Sequence, residues 1–81
     1  MKLIRFKFKN KEMRDEYVSR FKRHSWAANI DIKTPLIGRI NKHGQIRNVF
    51  DSKTLRKMTS TKGAWLPMAS FEFNKFCEKV D

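Results

Sequence analysis

Two histidines and one cysteine are the side chains here with the widest chemical range, and they stand far apart. His43 lies in "NKHGQ", at a predicted hairpin tip between Lys42 and Gly44, where an exposed imidazole could serve as acid or base. Small basic ribonucleases work with a histidine and a few cations, so RNA cleavage is the enzymatic chemistry to weigh. No second catalytic group falls in register with His43. It reads as an ordinary turn residue, and the chain as a non-enzyme. His24 falls at a predicted helix end, where a cation suits the dipole. Cys77 sits on an apolar helical seam and reads as a small buried hydrophobe. The His and Cys spacing matches no metal-ligand pattern, and no Gly-rich nucleotide loop calls for a cofactor.

Anion chemistry is better supplied. Nineteen Lys and Arg against eight Asp and Glu give a net charge of +11 and a pI near 10.3. The excess is uneven: residues 1–62 hold 17 basic and 5 acidic side chains, and residues 63–81 hold 2 and 3. Such an excess costs self-repulsion and points to a polyanionic partner. The candidate contacts are Arg5, Lys7, Lys9, Lys33, Arg39, Lys42, Arg47, Lys53, Arg56, Lys57 and Lys62.

The elements that must position them follow from local pattern. "KLIRFKFK" alternates, with Ile4, Phe6 and Phe8 on one face and Arg5, Lys7 and Lys9 on the other. Asn10 is a helix N-cap before "KEMRDEYVSRFKRH", whose Met13, Tyr17 and Phe21 form a stripe with Val18 beside it. "WAANIDIK" alternates again, predicting a second strand with Asn29 and Lys33 facing outward. Then "GRINKHGQIRNVF" reads as a hairpin, with Gly44 taking positive φ in the turn. A regular ladder would pair Ile40 with Ile46, Arg39 with Arg47 and Leu36 with Phe50. Asp51 is expected to cap a short helix, "SKTLRKM", followed by the loop "TSTKG". In the last helix Phe73, Phe76, Cys77 and Val80 form a seam that offers a dimerisation face. The expected class is α+β, a single domain over residues 1–81. It has one four-stranded sheet with helices on one face, in the order β-α-β-β-β-α-α.

With the apolar sets turned to the helices, the opposite sheet face collects the cations, Arg39 and Arg47 among them. Arginine offers phosphate a planar fork of donors. Phe6, Phe8, Trp26 and Phe50 all fall on the apolar parity, which leaves no strand aromatic to stack a base and favours backbone contact without sequence preference. Trp65 is then the candidate stacking residue, or else a core plug. A second cluster, Lys53, Arg56, Lys57 and Lys62, has Lys42 nearby at the hairpin tip. No helix-turn-helix or zinc-finger pattern favours a DNA reader, so RNA is expected over DNA.

From Asn10 to Met58 the expected helix–three strands–helix order resembles double-stranded RNA-binding domains, with "DSKTLRKM" echoing their Lys-rich final helix and the first strand departing from the pattern. In size, Lys richness and lack of catalytic motifs the chain is also similar to small early proteins that phages use against host defences. Some of those neutralise RNase toxins with RNA as cofactor or bait. That resemblance implies the alternative, an inhibitor docking its basic surface on an acidic protein or nuclease. Without a signal sequence or an apolar run near membrane length, a soluble cytoplasmic protein is expected, in the host cytoplasm if viral.

Overall fold

A computed structural model describes residues 2–59 and 66–80. It has the expected α+β class: one antiparallel four-stranded sheet, in the order β3-β2-β1-β4, with helices on one face. Strand β1 (Lys2–Phe8) follows its alternation, burying Ile4, Phe6 and Phe8. Helix α1 (Lys11–Arg20) starts where Asn10 Oδ1 accepts the Met13 N–H at 2.9 Å, and it buries Tyr17.

Residues Trp26–Lys33 form no strand, which corrects the second-strand expectation. Lys22–Ala27 is a 3-10 turn instead, and Asp31 closes a further turn by accepting the Lys33 N–H at 2.9 Å. Both edges of β1 are taken by β2 (Leu36–Ile40) and β4 (Cys77–Lys79), so this segment has no edge of β1 to pair with. Its apolar residues serve a compact turn: Ala27 is buried, and Trp26 Nε1 donates to the Tyr17 hydroxyl at 3.1 Å.

The hairpin turn forms as its residues require. Gly44 has φ 79°, and Asn41 Oδ1 accepts from the backbone N–H groups of His43 and Gln45 at 2.9 and 3.0 Å. Ile40 pairs with Ile46. Beyond that pair the register shifts by one, so Arg39 faces Asn48 and Arg47 is the extra residue of a β-bulge in β3 (Ile46–Asp51). The expected Arg39–Arg47 pairing is therefore absent. The reason lies in the core. A regular ladder would set the Asn48 amide opposite Gly38 beneath Phe6, a costly place for a polar group; the bulge sets Val49 there. Every later residue of β3 changes face with it. Val49 turns inward and is fully buried, while Phe50, opposite Ile37, turns outward.

The short helix expected over Ser52–Met58 is a turn. Asp51 does cap, but its Oδ1 accepts the N–H groups of Lys53 and Thr54, at 2.7 and 3.1 Å, to close a reversal. The chain then runs back along β3, with Asp51 N donating to Arg56 O and Met58 N to Val49 O, at 2.9 and 2.8 Å. Seven residues with two apolar positions make a poor isolated helix, and pairing the bare edge of β3 satisfies backbone groups that would otherwise lack partners. Without the second strand and this helix, the double-stranded RNA-binding order is not present between Asn10 and Met58.

Helix α2 (Ser70–Phe76) starts where Glu72 Oε1 accepts the Ala69 N–H at 2.9 Å. The seam expected to stay helical through Val80 breaks after Phe76, and Cys77–Lys79 becomes edge strand β4. Phe73 and Phe76 are buried in the chain's own core, against Phe6 at 5.5 Å and Tyr17 at 5.8 Å between ring centroids. Cys77 is buried, as expected, and burial pushes its thiol well above the ordinary range.

Candidate functional site

Cross-strand pairing assembles the outer sheet face residue by residue. One row runs Lys57, Phe50, Ile37, Arg5 across the chain's return segment, β3, β2 and β1. A second runs Asn48, Arg39, Leu3. A third pairs Lys7 with Glu78, with 3.8 Å between the charged atoms. Between the first two rows lies a shallow depression of about 510 Å³ lined by Leu3, Ile37, Arg39, Phe50 and Leu55. Leu3 is 63% exposed and Leu55 66%. The site is thus an apolar floor with cations around it.

Of the expected contacts, Arg5, Lys7 and Arg39 share this face, and the bridge to Phe50 brings Lys57 to it. Arg47 is exposed at the bulge and Lys42 at the hairpin tip. Lys9 leaves the face: β1 ends at Phe8, and Lys9 Nζ donates to the Asn74 carbonyl in the last turn of α2 at 2.9 Å. Lys33, expected on a strand face, lies in the Asp31 turn instead. That turn and the Asp51 turn border one cleft, with Lys53 in its wall. The Lys33 N–H, the Thr34 hydroxyl and the charges of Lys33 and Lys53 hold the Asp31 carboxyl below its ordinary range. The N–H groups of Thr54 and Lys53 do the same for Asp51. Both carboxylates stay ionised and committed to their turns. Arg56 is exposed on the return segment. Lys62, Trp65 and residues 60–63 of the "TSTKG" loop lie outside the described residues.

The two histidines stand in contrasting surroundings. His43 is exposed, with its backbone N–H on Asn41 Oδ1. His24 is fully buried, and its Nδ1 meets the Tyr17 carbonyl at 2.6 Å, an acceptor in the last turns of α1. A carbonyl only accepts, so Nδ1 carries the proton. The other nitrogen, Nε2, finds no hydrogen-bond partner among the described residues and lies 3.9 Å from Glu72 Oε2. No group of three or more His, Cys, Asp or Glu among the described residues could hold a metal ion. No described helix is long and apolar enough to cross a membrane.

Sequence reasoning missed Leu3, Phe50 and Leu55 as parts of this face. One signal was available: Ile46 and Val49 are three apart, so a bulge is needed to set both apolar residues on the core face, while Asn48, buried as well, pairs with Arg39 on the other face. Compared with protein-family models, curated proteins and solved structures, the chain matches none.

Proposed function

We propose that this protein binds nucleic acid without catalysing a reaction on it, RNA in preference to DNA, through contacts to the phosphate backbone. The observation that carries the reading is the clustering of Arg5, Arg39 and Lys57 on one sheet face, whose acid, Glu78, is turned to Lys7. Arginine forks suit phosphate oxygens, and a net charge of +11 supports attraction of a polyanion from a distance. Arg47, Lys42, Lys53 and Arg56 extend the positive field around the face, and the cytoplasm is the compartment that goes with this role.

The test is a salt titration of binding to a labelled RNA by fluorescence anisotropy. Reversing charge at Arg5 and Arg39 together (Arg5→Glu, Arg39→Glu) should lower affinity at least about tenfold. It should also make the slope of log K against log salt shallower by roughly 1.4, two contacts at about 0.7 each on a single strand. The melting curve should be nearly unchanged. Equal affinity for the double variant and the parent would remove the face from the binding surface.

A further inference from the structure

The bulge at Arg47 changes what the outer face can recognise. A sheet face carrying only cations grips phosphates and has no use for a base. This face carries Phe50 at its centre, between Lys57 on one side and Ile37 and Arg5 on the other. Arg39 stands diagonal to it, two residues along β2 from Ile37, within reach of a long side chain. From Lys57 to Arg5 is three strand spacings, about 14 Å.

Leu55 adds a second observation. Its φ of 60° is a left-handed backbone conformation that L residues with bulky side chains rarely adopt. The side chain so placed is 66% exposed at the rim of the depression beside Phe50, so burial in the core does not account for it. The conformation belongs to the reversal, where the Leu55 N–H donates to the Asp51 carbonyl at 2.8 Å, and its consequence is an apolar side chain held out over the depression.

We propose, building on the nucleic-acid reading above, that this depression takes an unpaired base of single-stranded RNA. The base stacks on Phe50, with Leu55 and Leu3 closing the sides and Arg5, Arg39 and Lys57 meeting the flanking phosphates. Duplex RNA hides its bases in the helix and is read by shape and backbone, which needs no aromatic floor. Single strands expose both a π-face and the phosphates, and this face answers both. A second copy of the chain is a poor occupant, since a face-to-face pair would set these cations against their own copies.

The experiment measures binding of a labelled oligoadenylate, an RNA duplex and poly-glutamate at matched charge concentration. The proteins are the parent and the variants Phe50→Leu, Phe50→Trp and Leu55→Ser, each checked for an unchanged melting curve. Phe50→Leu keeps the apolar volume and loses the π-face. The expected result is a preference of the parent for the single strand. Phe50→Leu should weaken that binding about tenfold, a stacking contribution of the usual size, with the salt slope unchanged and Phe50→Trp at least as tight as the parent. Unchanged single-strand affinity in Phe50→Leu, alongside loss in the arginine double variant, overturns base stacking and leaves the backbone reading standing. Poly-glutamate bound as tightly as RNA also overturns it and reassigns the face to an acidic protein. Failure of the parent to bind either RNA overturns both readings.

Discussion

The rings of Tyr17 and His24 lie one on the other, centroids 3.8 Å apart and planes within 1° of parallel. The stack joins the last turns of α1 to the 3-10 turn that follows, and His24 Nδ1 closes it by donating to the Tyr17 carbonyl. The helix therefore ends on a buried ring. Replacing His24 with alanine removes the stack, opens a cavity and strands a buried carbonyl, at a cost of about 2–4 kcal/mol. Urea unfolding checks this: the midpoint should fall with no change in slope. A loss below about 1 kcal/mol would mean that His24 is not the end-stop of α1.

Tyr17 is the single tyrosine of the chain, so phenolate absorbance reports on it alone. Burial pushes its phenol well above the ordinary 10.0, although the hydrogen bond from Trp26 pulls the other way. A folded-state value above the unfolded one favours the native form fully below about pH 10 and withdraws that support as pH rises beyond it. The native protein should thus show almost no phenolate at about pH 11, and the signal should appear together with loss of helical circular dichroism. A phenolate rising near pH 10 in protein that is still folded would contradict the burial of this ring.

Gly38 faces the core under an aromatic lid. A β-carbon there would lie 2.8 Å from Phe6 Cε1, 3.3 Å from Cδ1 and 3.4 Å from Ile46 Cδ1. Phe6 is fully buried and packs edge-to-face with Phe73, so it has little room to yield. Gly38→Ala should cost about 1–3 kcal/mol by overpacking, and Gly38→Val more. The strain falls on the helix side of the sheet, so RNA affinity of the remaining folded protein should not change. Thermal melting and binding, measured on one sample, separate the two effects.

Local pattern carried the parts of the fold that are decided locally. Ile4, Phe6 and Phe8 alternate, Asn10 caps, and Asn41 with Gly44 makes its turn, because each depends on neighbours in the chain. The residues around Trp26 and Cys77 are decided by competition for β1. Period-two spacing over Trp26–Ile32 and helical spacing over Phe73–Val80 are both satisfied by other structures once β2 and β4 hold the two edges. Basic residues on β1 and at Arg39 were legible by parity. The apolar floor was not, because a single inserted residue exchanges the faces of Val49 and Phe50.

That inserted residue gives a direct test of the register. With Arg47 deleted, the sequence Ile46–Asn48–Val49–Phe50 can form a regular ladder that keeps the observed partners: Ile46 with Ile40, Asn48 with Arg39, Val49 with Gly38 and Phe50 with Ile37. Deletion should therefore leave the protein folded, within about 1 kcal/mol of the parent, with a slightly shallower salt slope from the lost cation. Had Arg39 and Arg47 been opposite one another, the same deletion would drive Asn48 and Phe50 from the core face to the solvent face and force Val49 inward. Exchanging the faces of the residues that follow the deletion costs well over about 3 kcal/mol in a core of this size. Chemical denaturation of the deletion variant distinguishes the two registers. Near-parent stability fixes Phe50 on the outer face, while collapse of the fold would return it to the core and remove the platform.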